Sequence, residues 1–252
     1  MNYRIHGTAL PVLELQLAAE ESVYAVSGEL SWMSSSITLR TSTQLGGSGG
    51  VFGVFRRIAG GGSLFMTEYK AEAGEGMIAF ATRVPGSILF VEISQHQNYL
   101  IHRHGFLCAT MGVELSIALQ QSLGAGIFGG DGFILQKVSG SGHAWIELDG
   151  EVVIYDLKPG ETLRVHPGHV GMLEAGVSFE ITRLPGIKNM LFGGDGIFLA
   201  ALTGPGRVWL QSLPLSNLAH ALQHYIRPAT ESMQDAGAGA VIGSVLRGLS
   251  GK

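Results

Sequence analysis

The sequence predicts a mainly β chain built from repeated units and closed by a C-terminal helix. Three observations carry this prediction. First, one stretch recurs without a gap: residues 129–147 read GGDGFILQKVSGSGHAWIE and residues 193–211 read GGDGIFLAALTGPGRVWLQ. Second, apolar and polar residues alternate along short segments, the period of a half-buried strand. Third, glycine accounts for 38 of 252 residues, about twice the ~7% of an average protein.

In the repeated stretch, Gly129, Gly130, Asp131 and Gly132 match Gly193, Gly194, Asp195 and Gly196. A glycine corner follows, which in the second copy is Gly204-Pro205-Gly206, and Trp145 then falls where Trp209 does. A weaker copy at 49–67, GGVFGVFRRIAGGGSLFMT, keeps both glycine corners, lacks the aspartate and has Phe65 in place of tryptophan. Between these motifs, Pro85 to Glu92 resembles Pro159 to His166. Three tandem units are expected across 1–213, at approximately 1–75, 76–150 and 151–213, because self-similarity at a fixed spacing marks a repeat architecture.

Within the units, Leu13, Leu15 and Leu17 alternate with Glu14 and Gln16, and Leu163 with Val165 and Phe179 with Ile181 follow the same period of two. Asp149-Gly150 sits between two strand-like runs and is expected to centre a two-residue hairpin. No helical pattern separates the strands, so a βαβ arrangement is not expected. Residues 214–227, PLSNLAHALQHYIR, place Leu215, Leu218, Ala219, Leu222 and Ile226 on one helical stripe. The Gly/Ala-rich tail 228–252 is expected to be a weak helix or disordered, since glycine-rich helices are marginal.

Composition narrows the function classes. Apolar residues make up 46% of the chain, and charged residues only 14% against ~25% on average. So little charge suggests that part of the surface is covered in a homo-oligomer. The net charge is −4 and the densest basic spot is Arg56-Arg57, which argues against nucleic acid as a partner. A single cysteine, Cys108, allows no internal disulfide and fits a reducing, cytoplasmic location. No secretory signal is visible at the N-terminus. No run of 18 apolar residues predicts a membrane span.

Chemical motifs are sparse. The Gly-Gly-Asp-Gly stretches lack the third glycine and following helix of a dinucleotide loop, and no Gly-Lys-Ser/Thr is present. The glycines are read as bends between strands, and Asp131 and Asp195 as turn formers. Weak metal candidates are the pairs His102 with His104, His166 with His169, and His220 with His224, the last at i and i+4. None has a clear third ligand. No Gly-x-Ser-x-Gly elbow exists, and Cys108 sits in an apolar run that suggests a buried thiol. Trp145 and Trp209 are expected to pack between neighbouring units. No catalytic residue and no cofactor are expected.

Phe192 to Leu199, Leu202 to Gly206 and Val208 to Ser212 together resemble the signature of the AIM24 family, and the resemblance covers nearly the whole chain. It implies a TRAP-like double-stranded β-helix, jelly-roll-like, with three repeats per chain and assembly as a homotrimeric ring. A mitochondrial relative is implicated in organising the inner membrane. The first repeat departs from the motif at Val51 and Phe52, and the family offers no catalytic residues to carry over. The expected function is a non-enzymatic oligomeric scaffold or binding protein, with a protein partner possible at the C-terminal helix. The alternatives are a small-ligand or metal-binding β-roll with enzymatic use and, by fold analogy alone, an RNA-binding ring.

Overall fold

The computed structural model describes residues 1–41, 66–121, 132–183, 198–223 and 225. Gly129 to Asp131, Gly193 to Gly196, His224, nearly all of the weak copy at 49–67 and the tail therefore lie outside the described residues. The chain divides into Met1–Ser216, which holds every described strand, and Asn217–Lys252.

The first half contributes β1 (Asn2–His6), β2 (Val12–Leu17), β3 (Ser22–Val26), β4 (Trp32–Met33) and β5 (Ile37–Thr41). Then come β6 (Met66–Ala71), β7 (Gly76–Ala81), β8 (Gly86–Ile93), β9 (Tyr99–His102), β10 (Phe106–Thr110) and β11 (Val113–Gln121). The second half adds β12 (Phe133–Gly140), β13 (Gly142–Asp149), β14 (Val152–Leu157), β15 (Thr162–Val165) and β16 (Val170–Glu174). The last strands are β17 (Ser178–Arg183), β18 (Phe198–Thr203) and β19 (Gly206–Gln211), followed by helix α1 (Leu215–Gln223). The alternation is borne out in β2, where Leu13, Leu15 and Leu17 are buried and Gln16 is exposed.

These strands form antiparallel sheets, none closed among the described residues. Two sheets have six strands each, in the orders β5-β6-β3-β10-β13-β8 and β11-β12-β9-β16-β19-β14. Adding six to every label of one order gives the other. The smaller sheets, β1-β2-β7-β4 and β15-β18-β17, obey the same rule: β4-β7-β2 corresponds to β10-β13-β8, and β11-β12-β9 to β17-β18-β15. Register repeats as well. A bulge separates the pairs Phe106↔Ile146 and Cys108↔Trp145, and a second separates Val170↔Leu210 and Met172↔Trp209, with each residue 64 positions on from its counterpart. An extra residue at the same place in both ladders bends both strands alike.

This topology corrects two expectations. Asp149-Gly150 does not make a hairpin. β13 pairs with β8 and β10, whereas β14 pairs with β19 in another sheet, so the turn is a crossover between sheets; Gly150 supplies its positive φ of 76°. Nor are the Pro85 and Pro159 stretches equivalent. The first leads into β8, which pairs with β13, and the second into β15, which pairs with β18; the counterpart of β8 is β14.

The apolar side chains gather in three clusters along Met1–Ser216. One joins Leu13, Leu15, Leu107 and Trp145. The next joins Tyr24, Ile101, Ile146 and Trp209, and the last joins Phe133, Leu135, Val165 and Leu202. Trp145 is fully buried, with Tyr3 and Phe90 against its ring. Trp209 lies edge-on to Tyr99 at 5.8 Å and under the Arg207 guanidinium. Cys108 is buried, and burial pushes its thiol pKa well up. Gly142 and Gly206 adopt φ of 143° and 142° at equivalent corners. A Cβ on Gly142 would lie 2.3 Å from Thr110 Oγ1, and one on Gly206 2.7 Å from Val177 Cγ2, so both corners require glycine. Among the described residues, no helix is long and apolar enough to cross a membrane.

Candidate functional site

The strongest concentration of perturbed polar groups lies at the C-terminal end of β13. Glu147 and Asp149 alternate with Ile146 and Leu148, a pattern that in sequence reads as one wet face and one dry face. The fold covers both faces. Glu147 is 3% and Asp149 6% exposed.

Three other segments reach this point. Glu29 follows β3, Arg83 follows β7, and His102 and His104 flank the turn from β9 to β10. The Arg83 fork grips the Glu29 carboxylate through Nε, at 3.1 Å, and through Nη2. Its Nη1 donates to His104 Nδ1 at 3.3 Å, and its Nε lies 3.7 Å from Glu147 Oε1. His102 Nε2 donates to the Glu147 carbonyl at 3.2 Å. Asp149 Oδ2 accepts the Leu215 N–H at the start of α1, at 3.1 Å. Helix N-termini favour such an acceptor because their first N–H groups have no partner within the helix.

The electrostatics follow from this burial. Desolvation pushes the Glu147 carboxyl up to about 7; the Arg83 charge pulls it down, and Glu29 and Asp149 push it further up. Asp149 is raised for the same first reason, against the Leu215 N–H, His104 and Arg83. Burial holds His102 down to about 4. His104 is also held near 4, by desolvation first and then by the neighbouring Arg83 charge. Both rings are therefore neutral at pH 7. Glu147 Oε2 is buried and has no hydrogen-bond partner among the described residues.

A carboxyl tuned close to neutrality is what an acid–base site would display. Here, however, Glu147, Asp149 and His102 are buried, and of the tuned groups only His104 is exposed. The geometry suits a structural polar clasp between segments distant in sequence.

Of the histidine candidates, His102, His104, His166, His169 and His220 are described, and His224 lies outside the described residues. His102 and His104 point their ring nitrogens at Glu147 and Arg83. His166 and His169 lie ring to ring at 5.9 Å, and His169 Nδ1 donates to the Gln211 carbonyl at 2.8 Å. His220 is on α1. Among the described residues, no group of three or more His, Cys, Asp or Glu side chains is arranged to hold a metal ion. Sequence reading missed Glu29, Arg83, Glu147 and Asp149. The available signal was the end of the repeated stretch, where Trp-Ile-Glu faces Trp-Leu-Gln.

A family model described as mitochondrial biogenesis AIM24 matches residues 3–213. The chain belongs to the AIM24 family. One AIM24 relative is an uncharacterised protein of Streptococcus pyogenes serotype M6, 27% identical over 222 residues that span 86% of this chain and 87% of the relative. A crystal structure of a Streptococcus pyogenes protein matches the AIM24 fold with a TM-score of 0.70 at 24% identity. It covers 89% of this chain and 99% of its own. At that identity the likeness speaks for the fold alone.

Proposed function

We propose that this protein is a non-enzymatic scaffold or binding protein that works as a cytoplasmic homo-oligomer, with the trimer as the favoured size. In this reading residues 1–213 form three tandem units, at about 1–75, 76–150 and 151–213, in a TRAP-like double-stranded β-helix. The six-strand period of the sheets supports the repeats.

One observation carries the oligomer. Within the chain, Tyr3 of β1, itself 45% exposed, stacks on the half-buried Phe90 of β8 at 4.9 Å. The residue that matches Phe90, 64 positions on by register with β13 and β19, is Ile154 of β14. Ile154 is 50% exposed, and its neighbours Val153 and Tyr155 are 48% and 44% exposed. β14 also ends its sheet, so among the described residues one side of its backbone has no ladder partner. A bare apolar edge strand is a template for pairing with another chain. A second copy would cover Ile154 as Tyr3 covers Phe90. The 14% charge content points the same way.

Ile154→Lys should lower the mass measured by light scattering to that of one chain and leave the circular dichroism spectrum unchanged. Leu10→Lys, at a residue 60% exposed outside the strands, should leave the mass as in the wild type. An Ile154→Lys protein of undiminished mass would remove β14 from the interface.

A further inference from the structure

The six-strand period places Glu147 and Gln211 at the same position in successive ladders, since Glu147 pairs with Ile88 and Gln211 with Val152. Their surroundings correspond in part. Gln211 Oε1 accepts the backbone N–H of Asp149 at 3.0 Å, and Gln211 Nε2 donates to the Gly168 carbonyl at 3.0 Å. At Glu147 the counterpart of the Asp149 N–H is the backbone N–H of Arg83, which is directed at its carboxyl; by the 64-residue offset of the ladders, the carbonyl that corresponds to that of Gly168 is that of His104. The turns carrying these carbonyls are also alike. Gly105 N–H bonds to the His102 carbonyl as His169 N–H bonds to that of His166, both at 2.9 Å.

Both polar ends of the Gln211 amide are engaged, the oxygen as an acceptor and the nitrogen as a donor. An ionised Glu147 in the same frame has only acceptors, and its Oε2, where Gln211 presents an N–H, is buried without a partner. A carbonyl cannot donate to it. A carboxylic acid restores the match, because its O–H takes the place of the amide N–H.

We infer that Glu147 holds a proton in the folded chain, donates it through Oε2 to the His104 carbonyl, and acts as a proton-operated clasp that loosens when the proton leaves. The groups facing it agree with this assignment. Arg83 is already neutralised by Glu29, Asp149 is a second buried carboxyl, and His102 and His104 are neutral donors or acceptors that bring no positive charge. Ionising Glu147 therefore adds a negative charge beside two other carboxyls, offset only in part by an Arg83 that it shares with Glu29, in the interior where such a charge is least tolerated.

The sign of the pH effect follows. Glu147 titrates higher in the folded chain, at about 7, than in an unfolded one. The folded state binds the extra proton, so the contribution of Glu147 is complete below about pH 4.3 and falls away as pH rises through 7.

Glu147→Gln, which copies Gln211, tests the inference. The variant should unfold at the wild-type temperature at pH 5 and roughly 5–10 °C higher at pH 8.5. The reciprocal Gln211→Glu should acquire a new loss of stability over the same pH range. Carbon-13 NMR titration of the wild-type glutamate side chains, with Glu147 assigned by its absence from Glu147→Gln, reads the proton directly. A Glu147 carboxyl titrating above about pH 6 supports the clasp. One titrating below about pH 5, or a Glu147→Gln protein with no gain at pH 8.5, overturns it.

Discussion

At the scale of single residues, the decisive feature is a small set of buried polar groups with opposite responses to pH. His102 is held near 4 by burial, below its ordinary 6.5. The unfolded chain binds that proton first, so the stability His102 contributes is present above pH 6.5 and lost as pH falls through 4. The shift corresponds to roughly 3 kcal/mol. His102→Gln keeps an N–H for the Glu147 carbonyl and cannot titrate. Over pH 6.5 to 4, urea unfolding should show it losing up to roughly 3 kcal/mol less than the wild type. Equal losses in both proteins would mean that His102 is protonated in the folded state.

The glycine corners make a second residue-scale prediction. Gly142→Ala combines a strained φ with a clash against Thr110 and should cost at least roughly 1–3 kcal/mol. Gly28→Ala has a comparable φ of 98° and nothing within 4 Å of its new methyl, so it should cost less. Thermal unfolding of the two variants side by side measures the difference.

At the scale of elements, the Asp149 side chain ties the end of β13 to the first N–H of α1. Asp149→Ala removes that acceptor, which should cost about 0.5–2 kcal/mol and speed amide exchange at Leu215. Unchanged exchange there would show that the helix start does not depend on β13. The strands themselves were legible because Leu13, Leu15 and Leu17 obey the period of a pleated sheet and the Gly-x-Gly corners recur in register. The connections were less so. Asp149-Gly150 carries the local chemistry of a hairpin, yet β13 and β14 each find their partners far along the chain, and a turn residue specifies a bend rather than the strand beyond it. The polar clasp was hidden for a related reason. Alternation shows that Glu147 and Ile146 face opposite ways, but only the segments carrying Glu29, Arg83 and His104 decide that the polar side is also covered. The equivalence of Glu147 with Gln211 stood in the aligned stretch throughout, and its meaning required the positions of the surrounding carbonyls.

At the scale of the whole molecule, the six-strand period brings Phe90 and Ile154 to matching places, and the chain covers them unequally. Tyr3 shields Phe90, while Ile154 at the matching place remains bare. A repeat that covers its own successor leaves its last copy unsatisfied, and a second chain is the economical cover. The low charge of the sequence fits the proposed oligomer, because surface that is buried between copies needs no charge to stay soluble. The mass of the full chain in solution, measured by light scattering at micromolar concentration, tests this most directly. The account predicts about three times the 26.6 kDa of one chain; a mass of one chain, constant across concentration, would contradict it.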